Sequence, residues 1–231
     1  MIKILIDNGH GVNTPGKCSP DKRLREYAYA REIATRVVNE LRGMGYNAER
    51  VVEEEQDVAL SVRCKRVNDI CKKVGTKNVL LVSIHNNAAG GDGKWHEARG
   101  FSAHVGMNAS AKSKALAQYL WNEAILQGLK GNRCVPYAKY IAQNLAICRD
   151  TNCPAVLTEN LFQDNKEDVD LLLSEEGKEK VTAVHVNAIV EFIKDYYGLE
   201  DFRLFVGNVR CGCWHRLSGW HRALRRLQQR S

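Results

Sequence analysis

Residues 2–7 and 79–84 are β-branched and leucine-rich almost throughout. Runs of this kind belong to strands buried on both faces of a parallel sheet, where no alternation with polar residues is needed. Residues 155–157 form a shorter run of the same type, and 48–52 and 100–105 read as two further strands. Between them the period changes. Tyr27, Ala30, Ala34, Val37, Leu41 and Met44 recur at spacings of three and four, with Gly43 and Gly45 at the end of the helix they predict. Leu60, Cys64, Val67, Cys71 and Val74 repeat the spacing and stop at Gly75, and residues 111–126 and 181–196 give two more amphipathic helices. Strands and helices alternate, so the expected class is α/β, with a mostly parallel, twisted central sheet flanked by helices.

The polar residues that interrupt these patterns carry the chemistry. His10 follows the first strand run in Asp7-Asn8-Gly9-His10-Gly11, His85 follows the second, and Glu159 follows Ala155-Val-Leu-Thr158. In open α/β sheets ligands bind beyond the carboxyl ends of the strands, which is where all three fall. Glu26 opens the first helix. Two imidazoles and a carboxylate are the ligand set of an open catalytic zinc site, and a further carboxylate suits a proton shuttle. Each residue taken alone has a plainer reading. His10 could be a turn histidine, Glu26 a surface residue favoured by the helix dipole, His85 a satisfied core histidine, and Glu159 the partner of Arg63 or Arg149. Asp7 could hydrogen-bond a ligand histidine or a nearby backbone amide. The glycine-rich stretch 89–100 reads as a loop directly after the second histidine. His96, His104 and His185 are competing candidates that we leave outside the metal site.

Composition narrows the class without changing it. The chain has 231 residues, enough for a full core in one domain, with 44% hydrophobic and 26% charged residues. The apolar runs are too short to span a bilayer, and no signal-peptide h-region follows Met1. Eight cysteines at irregular spacing are expected as free thiols, Cys64 and Cys71 on an apolar helix face. The net charge of +7 is local: all 27 acidic residues and 27 of the 34 basic ones lie within 1–201. Residues 202–231 hold seven arginines and no acid. We therefore expect a catalytic domain over 1–199 and an Arg-rich tail over 200–231. A nucleic-acid partner would rest on that tail alone and is not expected, since the rest carries no recognition motif.

Taken together these motifs resemble the zinc-dependent N-acetylmuramoyl-L-alanine amidases of the amidase 3 type, found among bacterial cell-wall hydrolases and phage endolysins. The family's Ile-x-Ile-Asp-x-Gly-His-Gly is similar to Ile4-Leu-Ile-Asp-Asn-Gly-His10-Gly11. Its helix-borne glutamate corresponds to Glu26 in Arg25-Glu-Tyr-Ala28, and its Ser-x-His-x-Asn-Ala to Ser83-Ile-His85-Asn-Asn87-Ala88. Its strand-end glutamate corresponds to Glu159, and its arginine and asparagine ahead of the serine-histidine strand to Arg63 and Asn68. The match spans about residues 2–197. Asn8 and Val12 depart from it, where proline and a third glycine are common, and both bear on loop shape.

The resemblance implies one zinc per chain on His10, Glu26 and His85, with Glu159 as the catalytic acid/base. Asp7, Arg63 and Asn87 would support the ligands or meet the substrate. The substrate implied is peptidoglycan, cut at the amide between N-acetylmuramic acid and L-alanine. Acting on the cell wall, the chain would be periplasmic or extracellular, exported by another route or released by lysis. Two alternatives keep part of the reading: a zinc peptidase on stem peptides, and a non-catalytic wall-binding relative, against which the presence of Glu159 argues.

Overall fold

The computed structural model describes residues 1–198. Six strands, β1 (Lys3–Asn8), β2 (Asn47–Arg50), β3 (Val79–Asn87), β4 (Ser102–Gly106), β5 (Ile141–Gln143) and β6 (Ala155–Phe162), form one sheet in the order β2-β1-β3-β6-β4-β5. β2, β1, β3 and β6 run parallel, whereas β4 is antiparallel to β6 and β5 parallel to β4. The helices are α1 (Glu26–Gly43), α2 (Leu60–Val74), α3 (Ala111–Leu126), α4 (Ala146–Arg149), α5 (Lys166–Leu173) and α6 (Glu175–Tyr197), with a 3₁₀ turn at Thr76–Asn78.

The uninterrupted apolar runs have a direct cause, because the sheet is covered on both sides. Ile4, Ile6, Val82, Ile84 and Val156 pack with Ile33, Val37 and Leu41 of α1, Leu116 and Leu120 of α3, and Ile189 and Phe192 of α6. The alternate positions Leu5, Val79, Leu81, Ala155 and Leu157 pack with Cys64, Val67 and Cys71 of α2 and Ile147 of α4. Each fully buried leucine or isoleucine of these sets contributes about 1.5–3 kcal/mol.

Helix starts follow local chemistry. Ser110, Asn165 and Ser174 cap α3, α5 and α6 by accepting from the backbone N–H three residues on. Arg25 offers α1 no side-chain cap; instead the Glu26 N–H donates to the Lys17 carbonyl, so the loop after β1 closes onto the helix start. Gly198 ends α6 in the left-handed conformation.

Several elements differ from the sequence expectation. β5 and α4 have three and four residues and no readable period. α5 was not expected, and α6 begins at Glu175, ahead of the residue 181 start. β3 and β6 extend past their apolar runs, so His85 and Glu159 lie within strands. Backbone ladders continue through polar residues because pairing uses only main-chain groups. Cys64 and Cys71 are buried, and the six described cysteines are free. No described helix is long and apolar enough to cross a membrane. The Arg-rich tail, with Cys211 and Cys213, lies outside the described residues.

Candidate metal centre

His10, Glu26 and His85 come together at the carboxyl ends of β1 and β3, with one donor atom from each within 4.8 Å of the others. Glu26 Oε1 lies 3.2 Å from His10 Nε2 and 3.2 Å from His85 Nδ1, and it also accepts the Asn86 N–H at 3.1 Å. The two imidazoles meet edge to face, their centroids 5.1 Å apart.

Local backbone makes this approach possible. His10 has φ 60°, the left-handed region that non-glycine residues seldom occupy. Its carbonyl is held there by Arg31 Nη1 at 3.0 Å and Arg63 Nη2 at 3.2 Å. A Cβ on Gly9 would fall 2.4 Å from Cε1 of His85, and one on Gly11 would fall 2.0 Å from the Asp57 nitrogen. Neither position admits a side chain. The glycines flanking His10 thus serve the close approach of the His85 ring and of the 56–57 backbone.

Glu26 is 1% exposed. Burial pushes its carboxyl up, but the hydrogen bonds from His10 and His85 outweigh that and hold it well below the usual carboxylate range. His85 responds in reverse: burial favours its neutral form, and Glu26 more than offsets this, raising its pKa. Glu26 Oε2 is buried without a hydrogen-bond partner. With Oε1 already meeting both imidazoles and the Asn86 N–H, the bare Oε2 is costly unless something cationic reaches the carboxylate. Two nitrogens and a carboxylate oxygen suit zinc, and the donors converge as such an ion requires.

Glu159 pairs directly with His85 across the β3–β6 ladder, so the two side chains leave the same face of the sheet. The pairing shifts immediately beyond, from His85–Glu159 to Asn87–Phe162, which places one extra residue in β6. Leu161 absorbs this bulge at φ 64°. Oε2 of Glu159 is buried and unpartnered. Burial, reinforced by Glu26 and opposed by His85 and Lys17, pushes its pKa up to about 7. The arginines that could have neutralised it are engaged elsewhere: Arg63 with Asp7 and Asp57, Arg149 with Asp150 and Asn144.

Asp7 does not touch a histidine; it accepts from Arg63 Nη1 and from the Ser83 hydroxyl. Arg63 also holds the carbonyls of Asn8, His10 and Val58. The Asn87 side chain accepts the Ala88 N–H and turns the chain into the following loop. Asn68 exchanges bonds with Asp150 and Asn152, bracing the segment before β6. His96 bonds to Asp92 within that loop, His104 bonds to Ser102 and Gln143, and His185 is fully buried against Thr158 and Val181.

Three supporting residues were not among the sequence-predicted site residues, although Ser83 stood in the quoted motif. Ser83 sits 3.2 Å from His85 Nε2, Asn160 Nδ2 donates to the His85 carbonyl, and Ser102 pairs with Glu159 across β4–β6. Ser83 had a signal, since residues two apart on a strand share a face. Asn160 and Ser102 had none, because their proximity arises from sheet order.

Residues 4–191 match the family model described as N-acetylmuramoyl-L-alanine amidase. The endolysin of Bacillus phage SPP1 is 27% identical over 200 residues, covering 84% of this chain and 67% of its own length. The N-acetylmuramoyl-L-alanine amidase CwlM of Bacillus licheniformis is 27% identical over 195 residues, covering 82% and 68%. Among solved structures, the N-acetylmuramoyl-L-alanine amidase from Clostridium difficile 630 matches with a TM-score of 0.72 at 23% identity, over 84% of this chain and 98% of that one. Ami1 from Mycobacterium smegmatis gives 0.73 at 17% identity, over 84% and 97%. At such identities these structures show a shared fold.

Proposed function

The chain belongs to the amidase 3 family of N-acetylmuramoyl-L-alanine amidases, and on that premise we propose that it hydrolyses peptidoglycan at the amide between N-acetylmuramic acid and the L-alanine of the stem peptide. The observation that carries the proposal is the meeting of His10, Glu26 and His85 with Glu159 in register beside them. One imidazole nitrogen each from His10 and His85 and the Glu26 carboxylate would hold one zinc per chain. Bound zinc would supply Lewis-acid polarisation of the scissile carbonyl and make water acidic enough to attack at neutral pH.

The chain's own residues do the rest. Glu159, buried with Oε2 unpartnered and its carboxyl pushed up by that burial, suits a group that must accept a proton and then return it. It takes a proton from the attacking water as that oxygen bonds to the lactyl carbonyl carbon. It gives the proton to the alanine nitrogen as the carbon–nitrogen bond breaks, so a carboxylate product and a free amine leave. Arg63 and Arg31 hold the His10 backbone, and Asn160 holds that of His85, keeping both ligands still while this happens. The catalytic machinery lies within residues 1–199, and the enzyme acts on the wall from outside the membrane or after lysis.

Metal analysis of the purified chain together with digestion of peptidoglycan tests this. One zinc per chain and newly exposed amino-terminal L-alanine are expected, and both should vanish in His85→Ala. Other new amino termini would identify a peptidase, and no release at all a binding module.

A further inference from the structure

We propose that Ser83 and Asp7 are positioning residues for the metal centre: the Ser83 hydroxyl, oriented by Asp7, holds a proton on Nε2 of His85 and so commits Nδ1 to the ion. The inference rests on the zinc reading above and concerns how this chain presets its own ligand. Ser83 stands two residues before His85 on β3, and Asp7 pairs with Ser83 across the β1–β3 ladder. All three side chains therefore leave one face of the sheet.

The direction of each hydrogen bond follows from counting protons. The Ser83 hydroxyl lies 2.5 Å from Asp7 Oδ2 and 3.2 Å from His85 Nε2. A serine has one hydrogen to donate, and an ionised carboxylate can only accept. Ser83 gives its hydrogen to Asp7, leaving a lone pair toward His85, and Nε2 must then carry the proton. The opposite ring nitrogen, Nδ1, faces Glu26 Oε1 at 3.2 Å; an ionised carboxylate can only accept, so without an ion Nδ1 carries a hydrogen as well, and it is this one that a bound ion would displace. Nε2 thus meets the Ser83 hydroxyl, and Nδ1 meets the Glu26 carboxylate.

Asp7 is itself fixed. It is 1% exposed, and Arg63, 2% exposed, reaches its Oδ1 at 2.8 Å. The same guanidinium bonds the His10 carbonyl at 3.2 Å, so Arg63 links the backbone of one histidine ligand to the relay behind the other. Outer partners of this kind set the tautomer and ring orientation of a ligand histidine, and their loss typically weakens metal binding 10–100-fold. A serine present only to fill space would set neither.

Two measurements on the full chain decide it. In zinc-loaded wild type labelled with ¹⁵N-histidine, long-range proton–nitrogen correlation should show His85 protonated at Nε2 and metallated at Nδ1; metal on Nε2 would overturn the relay, and this needs no variant. Zinc affinity, read by competition with a chromogenic chelator, should fall 10–100-fold in Ser83→Ala and recover to within a few-fold in Ser83→Thr, with melting of the metal-free forms reporting folding. Equal affinity in wild type and a folded Ser83→Ala also overturns it. A wild type that takes up no zinc would instead remove the proposed function on which the relay depends.

Discussion

Acid should destabilise this fold through His185, a residue the catalytic chemistry does not use. His185 is fully buried on α6. Its Nδ1 lies 2.7 Å from the Val181 carbonyl, which can only accept, so Nδ1 carries the hydrogen. Nε2 is then bare and takes the Thr158 hydroxyl at 2.9 Å. Charging the ring would put a second N–H against that hydroxyl in a dry pocket. Burial, only partly offset by the Val181 bond, accordingly lowers the pKa from 6.5 to about 4. Above pH 6.5 neither the folded nor the unfolded chain protonates this ring, and its contribution is constant. Between 6.5 and 4 the unfolded chain binds a proton that the folded chain refuses, so stability falls as pH falls. At 1.36 kcal/mol per pKa unit the loss is roughly 3 kcal/mol. Urea unfolding with a chelator present, at several pH values from 8 to 4, should show it as the difference between wild type and His185→Gln, which keeps an amide there but cannot titrate. Glu159, whose raised pKa acts with the opposite sign in this range, is common to both proteins and cancels. Curves that stay parallel from pH 8 to pH 4 would refute the reasoning.

Other expectations are as direct. Glu159→Gln keeps the shape but cannot carry a proton; it should fold and retain zinc while losing roughly 10²–10⁴-fold in turnover, and metal loss there would make Glu159 a ligand. Gly9→Ala drives a methyl to 2.4 Å from the His85 ring, so zinc affinity should fall, and unchanged affinity would mean the ring relocates freely. Truncation after Leu199 should preserve activity on soluble muropeptide fragments, because the seven arginines beyond residue 201 suit electrostatic attachment to anionic wall polymers and the candidate site residues all precede them. The tail's contribution to binding intact walls should then weaken with salt, and loss of activity on soluble fragments would contradict this.

Much of the candidate site was legible in the sequence, for a physical reason. A two-sided parallel sheet demands uninterrupted apolar runs, so a histidine or glutamate that breaks such a run stands out against its neighbours. That logic located His10, His85 and Glu159 and the covered sheet around them. Glu26 was legible only in their company, since a glutamate in the first turn of a helix is commonplace. The short β5 and α4 were not legible, because elements of three and four residues carry no period and exist only through what they pack against.

Sequence alone thus determined the fold class and which side chains are candidates for the chemistry, because burial patterns and residue types are properties of single segments. Tertiary structure decided what depends on neighbours far apart in the chain. Arg63 turned out to join Asp7 and the His10 carbonyl rather than Glu159, leaving Oε2 of that carboxylate buried without a partner. The β3–β6 register put Glu159 beside His85, and the β1–β3 register put Asp7 beside Ser83. Register is set by the packing of whole strands, which no local spacing encodes.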